Sequence, residues 1–335
     1  MLKKIFKKIK NDIKENYKIY IFYIIILCIS IIPLNYYIFS PGELIDLTDR
    51  IHVENNYSFE GSFNLTYVTT RKATILTYLL SYVIPSWDLE KLETRQIDNE
   101  SMDDIETRGQ VYLKETSYDA IIAAFTEAGK EYKIKSNDVT VTHVFEYADT
   151  NIEVGDTIKT VNDKSVSSVA EISEILKDLK ENDKIKIKVE RNNKIVECYA
   201  RIKIISKRNV IGIIIANLKE VETSPKVEYI FKDNESGSSR GLMCALDIYN
   251  KITENDLTHG DIISGTGTID DKGNVGAIDG VKYKLTGAYE EGAKVFIVPS
   301  DNYEEALKLK EENKYDIELI EAKTLHEVIE RLNNR

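Results

Sequence analysis

Between Lys18 and Ser40 the chain runs 21 residues without a charge, IYIFYIIILCISIIPLNYYIF (19–39). At 1.5 Å per helical residue this is long enough to cross a hydrocarbon core of about 30 Å, which predicts one spanning helix over 19–39. The arm ahead of it, residues 1–18, holds seven lysines against Asp12 and Glu15. Basic residues stay on the cytoplasmic side of a bilayer, so the arm is expected inside and the chain from about Ser40 outside. A cleaved export signal has a similar charged start and apolar middle. No small-x-small cleavage pattern follows here, however, and Tyr36, Tyr37 and Phe39 resemble an interfacial aromatic belt. The expectation is a retained, single-pass anchor in the cytoplasmic membrane.

The 335-residue chain carries a net charge of -11, and because the basic arm contributes +5, the remainder sums to -16. A body that acidic lacks the clustered Lys and Arg that phosphate contact requires, so no nucleic-acid partner is expected. Cys28, Cys198 and Cys244 show neither CxxC nor zinc spacing. The histidines at 52, 143, 259 and 326 form no HExxH. Neither a metal nor another cofactor is expected. A hydrophobic content of 42% and a length beyond one ordinary core suit two or three folded domains.

Residues 40–135 read as an N-terminal external region that packs on the C-terminal part. Strand-like alternation through Ser62–Val68 is followed by an apolar helix-like run near Leu76–Val83. Next come a charged, weakly patterned stretch over 88–117 and a short helix, Tyr118–Ala128, stopped by Gly129. Residues 136–205 hold a strand, the stretch Gly155-Asp156-Thr157-Ile158 with Val161-Asn162-Asp163-Lys164, and a helix with Val169, Ile172, Leu176 and Leu179 on one face. A hairpin turning at Asn192-Asn193 closes the unit. GDTIKTVNDK in this setting resembles a PDZ domain, which implies capture of an extended peptide at a sheet edge. The glycines that usually cradle a terminal carboxylate are missing from 145–152. Residues 206–335 alternate strands and helices, among them a helix over Arg240–Ile252 and another over Val281–Glu291, as an α/β domain with its own core.

Two segments in this last region stand out, with Ser239 in the first and Lys284 in the second 45 residues apart. One is Glu235-Ser236-Gly237-Ser238-Ser239-Arg240-Gly241-Leu242-Met243. The other is Gly265-Thr266-Gly267-Thr268-Ile269, continued by Gly273-Asn274-Val275-Gly276-Ala277-Ile278-Asp279-Gly280-Val281-Lys282-Tyr283-Lys284. Together they resemble the I-G-G-P-S-A-G-L-M, G-T-G-T-I and G-x-V-G-x-I-G-G-I-x-x-K patterns of Lon proteases. The order anchor, Ser40-Pro41-Gly42, Gly61-Ser62-Phe63, PDZ unit, Lon-like end is similar to that of PDZ-containing Lon-type (S16) serine proteases of the YlbL/SepM kind. That resemblance implies an α+β architecture with an N-terminal transmembrane helix, a PDZ-like domain and a Lon-type proteolytic α/β domain. It also implies ATP-independent endopeptidase activity on extracellular peptides or the outer parts of membrane proteins. Consistent with this, the sequence contains no G-x-x-x-x-G-K-[ST] phosphate loop. The resemblance places the nucleophile on Ser239, its base on Lys284 and a lysine-orienting role on Thr266, and it allows a homo-oligomer.

Elementary chemistry agrees with those roles. A serine hydroxyl needs a base, and a lysine serves only when neutral, which burial favours by penalising the ammonium. With Ser239 at a helix start, backbone N–H groups of Gly237, Ser238 and Arg240 are the expected oxyanion donors. Four positions depart from the pattern: Ser236 for Gly, Ser238 for Pro, Arg240 for Ala and Asp279 for Gly. Arg240 is expected to narrow the substrate cleft and Asp279 to favour a charged Lys284. These departures support a rival expectation, a catalytically inactive, membrane-tethered PDZ scaffold. His259 has no motif-level partner and is expected on a surface turn.

Overall fold

The computed structural model describes residues 12–91, 96–98, 100–232 and 235–335. Two compact units are present, one formed by residues 1–41 with 68–95 and the other by 42–67 with 96–335.

In the first unit the apolar run does not form the single helix predicted over 19–39. A 14-residue helix, Tyr17–Ser30, gives way to a strand, Pro33–Asp46. The physical reason lies at Pro33, which cannot donate to a helical ladder and disfavours the helical conformation of the residue before it. The residues beyond it, Tyr36-Tyr37-Ile38-Phe39, are aromatic or β-branched and favour a strand, where Tyr37–Phe39 pair antiparallel with Asp88–Glu90. At about 21 Å the helix is shorter than a bilayer core. Among the described residues no helix is long and apolar enough to cross a membrane. A second helix, Ile75–Ser81, is started by a reciprocal Thr74–Thr77 capping box.

Two six-stranded sheets stand out among the described residues, beside smaller two-stranded pairings. In one, the start of strand Ser62–Thr74 lies parallel to Ile262–Gly265, which is parallel to Val295–Pro299 and then Glu318–Ala322. Four successive residues, Phe63–Thr66, are buried instead of alternating, because a parallel sheet is covered on both faces. The segment 42–67 therefore belongs to the same core as the C-terminal third. Phe63, Leu65, Leu242, Leu246, Ile297 and Val328 all pack there.

From Met102 the charged stretch, whose weak pattern suggests surface helix or loop, runs into a single 26-residue helix, Met102–Glu127, which absorbs the short one expected at Tyr118. Its beginning is a capping box between Ser101 and Asp104, the S-x-x-D signal in Ser101-Met102-Asp103-Asp104. Its second half is buried and packs Ala120, Ile121, Ala124 and Phe125 against the helix Gly241–Ile252.

The other sheet has the strand order Ile213–Thr223, Tyr132–Val144, Thr157–Val161, Lys184–Arg191, Lys194–Arg201, with the helix Val169–Leu176 contributing Ile172 and Leu176 to its core. Ile213–Thr223 is an edge strand. Gly212, immediately before it, adopts φ 76°, and its carbonyl accepts from the Phe145 N–H at 2.9 Å.

One close approach governs the position of the helix Val281–Glu290. A Cβ added at Gly287 would lie 2.3 Å from the Gly42 carbonyl oxygen, a backbone atom that cannot rotate away. Gly287→Ala is expected to cost about 1–3 kcal/mol and to reduce activity, because the helix must move as a body. Urea unfolding alongside peptide cleavage checks this, and wild-type values for both would remove Gly42–Gly287 contact as a constraint.

Candidate active site

The loop before Gly241 is held from several directions. Its Gly237 adopts φ 90°, a left-handed conformation that glycine tolerates without strain, and its N–H donates to the Gly109 carbonyl at 3.0 Å. Gln110 Nε2 donates to the Glu235 carbonyl at 2.9 Å, and Thr116 Oγ1 donates to the Ser238 carbonyl at 3.2 Å. All three supports come from the long helix. A side chain at Gly109 would meet Ser236 Cβ at 2.9 Å, so helix and loop touch at backbone distance.

Arg240 is held by its neighbours. Its guanidinium lies over the Phe231 ring at 4.6 Å and donates to Glu235 at 3.0 Å, and Glu235 pairs with Arg50 at 3.2 Å. These contacts clamp the loop. The helix begins at Gly241, with Arg240 as its N-cap residue, so Ser239 sits in the turn ahead of it and does not open the helix itself. Gly237, predicted as an oxyanion donor, has its N–H already committed to Gly109. The N–H groups of Ser238 and Arg240, and also that of Ser239, take no hydrogen-bond partner among the described residues.

Lys284 projects from the first turn of Val281–Glu290 into the interior with only 5% of its surface exposed. Its Nζ donates to Thr266 Oγ1 at 3.1 Å, and Thr266 Oγ1 in turn donates to the Ser239 carbonyl at 3.0 Å. With its one proton committed to Ser239, the threonine hydroxyl presents only lone pairs to the lysine, so the direction of the chain is settled. The Ser239 carbonyl accepts a second bond, from Gly267 N–H at 2.9 Å, and Thr266 N–H is tied to Ile297 at 2.9 Å. The peptide unit that follows Ser239 is therefore anchored to the same strand end that orients Lys284.

Burial pushes the Lys284 ammonium down to about 8 from its ordinary 10.5, against an opposing pull from Asp279 and with a smaller push in the same direction from Arg240. The Asp279 effect has the sign expected from its sequence position, but desolvation outweighs it. His259, on a turn at φ 49°, contacts the Leu332 carbonyl at 2.9 Å.

Sequence reasoning missed Gly109, Gln110, Thr116 and Arg50 as supports. They lie more than a hundred residues from the loop, and nothing in their local pattern signals a contact. Ser239 N–H was recoverable, since it belongs to the same turn as the donors predicted.

Residues 232–334 match the Lon protease (S16) C-terminal proteolytic domain, and residues 122–202 match the PDZ domain. The chain thus joins a PDZ domain to a proteolytic domain of the serine-peptidase class. It is similar to Lon protease 2 of Borreliella burgdorferi, with 30% identity over 117 residues, which is 34% of this chain and 14% of that protein. It is also similar to the Lon protease of Mesomycoplasma hyopneumoniae, with 31% identity over 94 residues, 28% of this chain and 11% of that protein. The matched part is 14% or less of the length of these curated relatives. Among solved structures, the chain is similar to the PDZ domain of an SdrC-like protein from Listeria monocytogenes, at 23% identity, covering 25% of this chain and 92% of that one, with a TM-score of 0.23. A corresponding domain from Listeria innocua is 28% identical, covers 23% and 92%, and has a TM-score of 0.21. The two matches, a PDZ domain followed by a Lon (S16) proteolytic domain, fall in the order that the motifs suggested.

Proposed function

We propose that the chain is an ATP-independent serine endopeptidase, tethered to the cytoplasmic membrane with its N-terminus inside and its catalytic part outside, that cleaves extracellular peptides or external parts of membrane proteins. Lys284, neutral in a useful fraction of molecules near pH 8, takes the proton of the Ser239 hydroxyl as that oxygen attacks a peptide carbonyl. Negative charge developing on the carbonyl oxygen is met by the N–H groups of Ser238, Ser239 and Arg240. The Lys284 ammonium then protonates the leaving amine, and the neutral lysine activates water to clear the acyl-enzyme. Thr266 keeps Nζ aimed while holding the Ser239 carbonyl.

The observation that supports this reading is the placement of the buried Lys284 beside Ser239, donating to Thr266, which in turn donates to the Ser239 backbone carbonyl, with the lysine proton weakened by desolvation. The PDZ unit would dock an extended peptide along the open edge at Ile213–Ile215. The edge is closed further on, where Glu115 accepts from the Asn217 N–H at 3.1 Å. Membrane attachment is supported by the helix Tyr17–Ser30, in which no residue is buried although nearly all are apolar.

The test is cleavage of a peptide library by the full chain in lipid nanodiscs beside Ser239→Ala. Loss of about 10³-fold or more in the variant is expected. Equal cleavage by both would reject the mechanism, and no cleavage by the wild type would favour the inactive scaffold.

A further inference from the structure

The first unit exposes a second apolar element besides the N-terminal helix. From Ala73 to Trp87 the sequence carries no charge. Its helix Ile75–Ser81 and the turn after it leave Leu76, Leu79, Leu80, Tyr82 and Val83 in the open, with Leu79 59%, Tyr82 73% and Val83 75% exposed. A cluster of bare aliphatic side chains on this scale marks a surface meant to be covered. It adjoins the N-terminal apolar run, because the Ile75 N–H donates to the Ile32 carbonyl at 3.1 Å and the two helices pack together. Ile31 and Ile32 are themselves exposed, so one continuous apolar surface joins both segments.

We infer that the segment Ile75–Val83 is a second membrane-contacting element, seated in the outer leaflet beside the N-terminal helix. The inference rests on the proposed membrane attachment and adds to it where the chain meets lipid a second time.

Three features point to a bilayer as the occupant. The helix Tyr17–Ser30 covers about 21 Å of a core about 30 Å thick, and the shortfall lies on the side where Ile31, Ile32 and the second element stand. Tyr36, Tyr78 and Tyr82 form a cluster with ring centroids 5.5 Å apart at each step, the aromatic type that settles at headgroup level. Arg71 lies over the Trp87 ring at 4.9 Å, and Arg71 and Lys72 are both exposed just ahead of the uncharged run, as cations paired with anionic headgroups would be. A soluble protein partner would account for the apolar residues but not for their continuity with a helix bare on every side.

Trp87 is the only tryptophan in the chain, so Trp87→Phe removes the native indole and allows one reporter to be placed at will. The full chain carrying Trp87→Phe with Tyr82→Trp is reconstituted into phosphatidylcholine–phosphatidylglycerol vesicles. A second version carries Trp87→Phe with Ile195→Trp, on the exposed PDZ hairpin, as the control. Both are expected to float with the vesicles. The reporter at position 82 should lose most of its emission to lipids brominated at the upper acyl carbons, while the control should respond only to aqueous iodide. Flotation with equal behaviour of the two reporters overturns the inference alone and leaves the anchor standing. An indole at position 82 shielded from iodide yet untouched by brominated lipid means that protein covers the patch, which also overturns it. Failure to float removes the membrane attachment and the inference together.

Discussion

Lys284→Arg is expected to lower kcat/KM for peptide cleavage by about 10³-fold or more, with Lys284→Met close behind it, because neither side chain supplies a neutral amine. Arginine stays charged throughout the accessible range, and methionine has no basic atom. In the wild type, activity should rise with pH and level off above about 8, the value to which burial brings Lys284. The same burial makes stability depend on pH. The folded lysine titrates near 8 and the unfolded one near 10.5, so between those values the unfolded chain binds more protons and stability rises with pH. Below pH 8 the native state bears the full penalty, about 3 kcal/mol in order of magnitude. Lys284→Met should therefore raise the Tm at pH 7, and the advantage should vanish above about pH 10.5. Thermal melts at both pH values and a pH–rate profile check this. A variant that cleaves like the wild type, or wild-type activity that declines as pH rises through 8, would dismiss Lys284 as the base.

The largest loss of stability is expected from Lys251→Met, on the helix that begins just after the Ser239 loop. Lys251 Nζ donates to the Ile51 carbonyl at 2.7 Å, the Leu47 carbonyl at 3.4 Å and Asp247 at 2.7 Å, and both charged residues are buried. Burial pushes the Asp247 carboxyl up to about 6, and Lys251 holds it back from going higher. Removing the lysine leaves a buried carboxylate and two carbonyls without their donor, a loss of about 3–5 kcal/mol. Protonation relieves the carboxylate, so the loss should be smallest at pH 5 and grow as pH rises past 6. Urea titrations at pH 5 and pH 8 measure the difference, and an equal loss at both would mean that Asp247 is not charged in the folded wild type. Because Leu47–Ile51 belongs to the N-terminal part of the chain, the pair also ties that segment to the helix carrying the site.

Much of the site could be read from the chain itself. The glycines and small residues around Ser239, the G-T-G-T-I run and the spacing to Lys284 are local patterns, and each demands a backbone or a side-chain type that composition alone exposes. The PDZ helix and hairpin were legible for the same reason, since their apolar residues keep a period of 3.6 or 2. Other readings failed where local pattern and tertiary demand diverged. The apolar run over 19–39 satisfies a spanning helix by hydropathy, yet Pro33 and the aromatic residues after it turn its last third into strand. The stretch over 88–117 is charged and weakly patterned, suggesting surface helix or loop, because the buried residues of its helix begin only at Val111.

By itself, the amino-acid sequence determined which groups are available: one serine beside small residues, one lysine on an apolar helix face, a threonine in a glycine-rich strand end, and a long uncharged stretch behind a basic arm. Only the tertiary structure decided their states. Lys284 gives up its proton more readily because residues far apart in sequence exclude water from it, and the Ser239 turn is rigid because Gly109 and Thr116 of a distant helix bind it. Desolvation and long-range hydrogen bonding depend on what surrounds a group in space, and that information is not contained in any short window of the chain.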